Sequence, residues 1–411
     1  MIKKTVIHLG FLSLILAGIT AYYTFQPDHG AEQMDVMEVK ARVLSSDNSE
    51  VRSSGLSHIG FQTLEVEILE GRFKGQKKTA VNNLVGQTDL ENLFQKNDTI
   101  IAALILEDGA IDYVKAVDLF RQDTLLLLFG LFVAALLIYA GVIGVKALMS
   151  FVLTVFIIWE VLVRLILRGY PPLAVTTWTL LLLSAIIIFL VAGINKKGLT
   201  AFTGTACGLF TTLLVTSLVG REAGLFGMTQ PYVNALIFSG YYDLDIRQIF
   251  YSAIILGASG AAMDIAMDVA ASMDEIKARK PDISTTELMR SGFNVGRQVI
   301  GTMTTTLLLA YSGGYLTLLM IFRVKEPSIM RMINLKIVAA EIMRTLVGSI
   351  GLVLVAPITA IVGGMVIAGA WDRIWRKNRP LPGKRERSTS GVRDGAIILY
   401  GLFRLKHRAS K

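Results

Sequence analysis

Apolar runs longer than eighteen residues recur along this chain, at 6–25, 124–144, 147–167, 173–193, 198–219, 249–270, 296–322 and within 337–370. A run of that length is what an α-helix needs to cross the roughly 30 Å hydrocarbon layer of a bilayer. With 53% hydrophobic residues and a mean hydropathy of +0.55, the expected fold class is a polytopic α-helical membrane protein of about eight transmembrane helices. Lys3 and Lys4 precede the first run, but no small-residue cleavage site follows it before Tyr22, Tyr23 and Phe25. Residues 1–27 are therefore expected to be an uncleaved anchor helix rather than a signal peptide.

The basic residues set an expected orientation. Lys3/Lys4, Lys146, Lys196/Lys197, the loop Lys277–Arg290 and the tail from Arg373 fall on one side of an eight-span chain. The excess of Lys and Arg makes that side cytoplasmic, with both termini inside a bacterial cell membrane. Arg323, Lys325, Arg331 and Lys336 work against this arrangement, and they could flank a short interfacial helix at Ser328–Leu335.

The net charge of +9 is a sum of opposites. Residues 26–122 carry ten Lys/Arg against sixteen Asp/Glu, a net −6, which leaves +15 elsewhere. That excess points to the anionic inner leaflet as a partner. Nucleic acid is not an expected partner, because no aromatic residues interleave with the basic tail and no binding motif is present. A single cysteine, Cys207, excludes an internal disulfide, and the four histidines lack metal-ligand spacing. Neither a metal nor a cofactor is expected. Without His-Glu-x-x-His, Gly-x-Ser-x-Gly or a phosphate-binding Gly-rich loop, the chain does not read as an enzyme.

Residues 28–122 form the one segment long enough for a soluble core outside the spans. Val36–Leu44, Gln62–Leu69, Lys77–Asn82, Thr99–Leu106 and Ala110–Val117 alternate or cluster β-branched residues between Gly and Asn/Asp turns. Five short strands predict a small extracytoplasmic β-rich domain resembling an OB-fold. Its expected role is that of a spacer or a module for docking a protein partner. The multi-helix membrane domain then covers 123–372, and a basic cytoplasmic tail covers 373–411. Within the tail, residues 396–403 fit either an interfacial or a partner-binding segment.

Chemistry concentrates on the run 249–270. Gly260, Asp264 and Asp268 step by four along one helix face, after the small Gly257, and Glu275 returns to within about 20° of Asp264. A carboxylate at bilayer depth costs roughly 2.5–3.5 kcal/mol on insertion scales, so a task or a partner is expected for it. Arg297, at the start of the next span, either snorkels to headgroups or pairs with Asp268 or Glu275. Thr304 and Thr305 either bond back to their own helix or, with Glu341 and Arg344, support a polar network. Gly257, Gly260, Gly301 and Gly348 are the expected helix-packing positions, and self-association through such faces is a candidate partner class. Glu160 and Arg164, four apart, are expected to pair with each other.

Three segments resemble the YibE/F-like family of bacterial membrane proteins. They are Gly257-Ala-Ser-Gly-Ala-Ala-Met-Asp264-Ile-Ala-Met-Asp268, Ser291-Gly-Phe-Asn-Val-Gly-Arg297-Gln-Val-Ile-Gly-Thr-Met-Thr-Thr-Thr, and Glu341-Ile-Met-Arg-Thr-Leu-Val-Gly-Ser-Ile-Gly through Pro357. The second departs from the familiar form at Gln298 and Thr305. The resemblance implies an architecture and no activity. The order of elements is also similar to half of an RND-type protein such as SecD or SecF. On these grounds the expected function is proton- or cation-coupled transport through an intramembrane carboxylate, with Asp264, Asp268, Glu275 and Arg297 as ion-coupling candidates. The alternative is a non-transporting accessory or assembly protein whose outer domain docks a partner.

Overall fold

The computed structural model describes residues 35–55, 57–86, 91–325 and 328–368. The expected anchor helix and basic tail lie outside the described residues. The chain divides into two units.

The first unit begins with six strands, β1 Asp35–Asp47, β2 Val51–Ser54, β3 Ser57–Ile68, β4 Lys77–Val85, β5 Thr99–Glu107 and β6 Ala110–Leu119. The sheet runs β1-β5-β6-β4-β3-β2, and β1 also pairs with β3, which closes it into a barrel. All pairings are antiparallel except β4 with β6. Alternation in the strands carries Val39, Ala41 and Val43 of β1, Leu64, Val66 and Ile68 of β3, and Ile100, Ala102 and Leu104 of β5 into one core. Five of the six strands are those read from the sequence. The sixth, β2, is a short hairpin partner for the start of β3, too polar at Arg52 and Ser53 to show an apolar alternation.

Turn chemistry fixes the register. Asp108 and Gly109 both have positive φ, as a two-residue hairpin loop between β5 and β6 requires. The buried side chain of Gln62 ties the loop before β5 to the barrel: its Nε2 donates to Phe94 O (2.7 Å) and its Oε1 accepts from Phe94 N (3.0 Å) and Asn82 Nδ2 (3.0 Å). Phe94, 1% exposed, thereby joins the core.

Helix α1, Gln122–Phe156, continues through a π-helical stretch, Ile157–Val163, into a last turn at Arg164–Leu167. A straight helix of this length would reach about 69 Å at 1.5 Å per residue. It is not straight. Gly141 has φ 53° and ψ −125°, and Phe151 lies 6.4 Å from Phe129 and 6.1 Å from Phe132 between ring centroids. Rings twenty-two residues apart meet only if the helix reverses, so α1 is a hairpin folded at Gly141. Two apolar runs were expected here, separated near Lys146. The break falls earlier because only glycine takes that backbone conformation without strain. Glu160 and Arg164 pair at 3.0 Å, as their spacing predicts.

The second unit contains α2 Pro172–Ala192, α3 Lys196–Glu222, α4 Val233–Phe238, α5 Ile246–Arg279, α6 Thr285–Gly314, α7 Leu316–Lys325, α8 Ile329–Asn334 and α9 Lys336–Ile367. Across the described residues five helices are long and apolar enough to cross a membrane, or six if the pair α6–α7 counts as one span. That pair bends by 72° at Tyr315, so the single run expected at 296–322 is a broken element. Its helical start also comes earlier, at a cap where the Ser284 side chain accepts from Glu287 N. The short helix expected near Ser328–Leu335 is α8, capped by Ser328.

A proline inside a helix ordinarily kinks or breaks it, but the last run is not broken. Helix α9 passes through Pro357 without interruption. The residues around the proline, Val355, Ala356, Thr359 and Ala360, are all buried against neighbouring helices. That packing holds the segment helical despite one lost backbone hydrogen bond.

Small residues set how closely these helices approach. A Cβ added at Gly204 or Gly208 of α3 would strike Thr359 or Val355 of α9; one added at Gly351 or Gly363 of α9 would meet Thr212 or Thr200 of α3. These contacts define one antiparallel register, with small residues of each helix seated against the other. Helix α6 packs on α9 in the same manner, through Gly292 against Ala360 and Gly296 against Ala356. Thr200, Thr205, Thr212, Thr216 and Thr359 are buried and donate to the carbonyl four residues back, so no hydroxyl among these five is left unpaired.

Candidate functional site

Helix α5 starts at a cap in which Asp245 accepts from Gln248 N. Its buried face, from Phe250 through Ile254, Ala258, Ile265 and Val269 to Met273, packs into the bundle. The opposite stripe is exposed: Gly257, Gly260, Asp264, Asp268 and Glu275. The spacing that placed these residues on one face is therefore real, and that face points away from the core. Asp264 and Asp268 make no hydrogen bond or ion pair among the described residues. Glu275 is held by Arg279 on its own helix, at 2.8 Å.

Contacts between α5 and α6 give their relative depth. Gly257 faces the Tyr311 hydroxyl, Val269 lies against Gly296, and Met273 against Gly292. This antiparallel register puts Arg297 level with Asp268 and Gly301 level with Asp264. Arg297 is exposed and bonds to neither aspartate. Gly260 and Gly301 have open space where a Cβ would stand, whereas a Cβ on Gly348 would stand 3.6 Å from Ala258 and one on Gly257 3.0 Å from the Tyr311 hydroxyl. Thr304 donates to Ile300 O (2.9 Å) and is exposed, as is Thr305.

Glu341 and Arg344, two of the residues expected in a polar network, do come together, and with a tyrosine. Arg344 Nη1 lies 3.1 Å from Glu341 Oε1, both side chains being about 15% exposed (15% and 14%). The Tyr315 hydroxyl donates to the same carboxylate at 2.7 Å. The Tyr311 hydroxyl and Arg344 Nε and Nη2 are buried without a partner nearby. This cluster sits beside a largely apolar cavity of about 290 Å³ lined by Leu308, Tyr311, Phe322 and Leu346. Gly348 against Ala258 and Gly363 against Met273 give α5 and α9 a parallel register. Arg344 is then level with Ile254, about 15 Å from Asp264 along the helix axis. The acidic stripe and the buried ion pair are two separate polar sites on one bundle.

The α3–α9 crossing went unread in the sequence, although Thr200, Gly204, Gly208, Thr212, Thr216 and Gly220 repeat every four residues. That period was the available signal. No group of three or more His, Cys, Asp or Glu able to hold a metal lies among the described residues.

No curated protein and no solved structure matches the chain. The model of one family, YibE/F-like protein, matches residues 128–369, well over half of the chain and all of α2 to α9. With the Asp264, Arg297 and Glu341 segments all inside the match, the chain belongs to the YibE/F-like family.

Proposed function

We propose that this protein is an eight-span transporter or exporter in a bacterial cell membrane, coupled to protons or another cation through Asp264. One observation carries the reading: Asp264 and Asp268 stand on an open face of α5, level with Gly301 and Arg297 respectively, with no basic side chain among the described residues bonded to them. A clasp between helices would place a basic partner against the carboxylate. A group that must load and release an ion needs open space beside it instead. In this reading Asp268, Glu275 and Arg297 shape the field around Asp264, and both termini are cytoplasmic. The eight spans are the anchor run, the two arms of α1, α2, α3, α5, the bent pair α6–α7, and α9. The outer barrel is OB-like, a reading supported by its closure through β1–β3 and its one parallel pair, β4–β6.

The test is ion-dependent flux in vesicles holding only this protein, with Asp264→Asn and with Asp264→Asn/Arg297→Gln. Coupling predicts that the single variant is stable and inactive, and that the double variant is not rescued. A clasp predicts loss of stability in the single variant and recovery in the double, because both halves of the pair are then gone. Full activity in Asp264→Asn would overturn the proposal.

A second reading, an accessory protein that docks a partner, rests on the barrel surface. Ile59 and Val85 are cross-strand neighbours and Phe61 lies two residues along, and all three are more than half exposed (54%, 59% and 51%). Under this reading Phe61→Glu abolishes function while leaving both folding and membrane insertion intact.

A further inference from the structure

A groove of about 570 Å³ lies between α2 and α3 and is closed at one end by the start of α5. Its mouth holds Arg221, Arg247, Asp245, Gln248 and Tyr251. Asp245 is already committed to its own helix, accepting from Gln248 N (3.0 Å) and Gln248 Nε2 (2.9 Å). The Arg247 guanidinium lies over the Phe226 ring at 4.5 Å. Neither Arg247 nor Arg221 has a carboxylate partner among the described residues. Tyr251 is 4% exposed, yet its hydroxyl has no hydrogen-bond partner. Both arginines act electrostatically on that hydroxyl, and Gly220 leaves room for its ring, since a Cβ there would strike the phenol. Below the mouth the lining turns apolar, with Trp178, Leu181, Phe210 and Leu213. Leu213 is eight residues from Arg221, so this part runs about 12 Å down the helices.

Two guanidiniums without a carboxylate partner among the described residues and an unsatisfied buried hydroxyl line the same mouth, above an apolar trough. Leaving the buried Tyr251 hydroxyl without a partner is costly, and a phosphate or carboxylate offers it and both guanidiniums a strong charge-assisted bond. We infer that this groove binds an anionic amphiphile, its acid group held between Arg221 and Arg247 with the Tyr251 hydroxyl donating to it, and its chain lying along Trp178 and Phe210. The site is independent of the acidic stripe and of any transport through it. A bilayer phospholipid and a free fatty acid share this chemistry.

Trp178 serves as the reporter. The full chain, carrying Trp159→Phe, Trp371→Phe and Trp375→Phe, is purified in a neutral maltoside detergent and titrated with lipids brominated on the chain. Brominated phosphatidylglycerol or brominated fatty acid should quench Trp178 at concentrations about tenfold below those of brominated phosphatidylcholine, a gap of 1.4 kcal/mol. Arg221→Gln/Arg247→Gln should erase that gap, and Arg221→Lys/Arg247→Lys should retain part of it. Arg221 is exposed, so Arg221→Gln alone, which should narrow the gap at least threefold, carries the test if the double variant does not fold. Competition between the two anionic probes assigns the source, and a preference for either supports the site. Equal quenching by phosphatidylcholine, or an anionic preference untouched by the arginine variants, overturns it.

Discussion

Single side chains hold two regions of this molecule in place by opposite means. In the barrel, Gln62 satisfies both backbone groups of Phe94 from a fully buried position. Gln62→Leu leaves a buried N–H and a buried carbonyl unpaired, which should cost the isolated barrel domain about 3 kcal/mol, measured by urea denaturation. In the bundle the decisive residues are those with no side chain. Gly208→Leu would drive a branched chain into Val355, and overpacking of this kind should cost at least about 2 kcal/mol. Gly260→Leu, with open space around it, should leave thermal stability unchanged. The two glycines look alike in the sequence, each in an apolar helix among small residues. Helical periodicity puts residues on a common face but does not say which face meets a neighbour. That is why Gly260 and Gly301 were legible as a stripe, while Gly204 and Gly208 carry the contact.

At the scale of elements, the strands were the most legible feature, because alternation and turn residues are local signals. The reversal in α1 was less so. Its two arms are apolar throughout, and nothing but Gly141 marks the fold. The hairpin is testable directly: in a Cys207→Ser background, Phe132→Cys and Phe151→Cys should be bridged by a short bifunctional thiol reagent. An unbroken helix would hold these positions about 28 Å apart, and no bridge would form. Helix α9 shows the converse. Pro357 signals a break in isolation, and the burial of Ala356 and Thr359 against α6 and α3 overrides it. The ion pair of Glu341 with Arg344 follows from their spacing of three. Its connection to Tyr315 does not, since the tyrosine comes from the bend between α6 and α7.

The chain combines an acidic segment, 26–122, with a basic remainder, and the proposed topology rests on this asymmetry. With Cys207→Ser, cysteines introduced at Ser49, which is exposed at the β1–β2 turn, and at Ser388 should label from opposite faces of the membrane. Labelling of both from the outside would remove the eight-span arrangement. Residues 28–120 expressed alone should be soluble and give a β-dominated far-ultraviolet spectrum, because the barrel closes on its own core of residues from β1 to β6. A spectrum dominated by helix or disorder would contradict this.

The sequence by itself determined the membrane-length apolar runs, the five main strands and the alignment of Asp264, Asp268 and Glu275 on one helix face; that this face is exposed came from the structure. Each of these depends on spacing along a single element, and spacing is all that one strand or helix needs. Tertiary structure alone decided the reversal at Gly141, the Gly–Thr seating of α3 on α9, and the meeting of Arg221, Arg247 and Tyr251. Those features join residues from 22 positions apart, Phe129 and Phe151, to 155 apart, Gly204 and Thr359, and their geometry exists only once the arms of α1 have met and α3, α5 and α9 have packed.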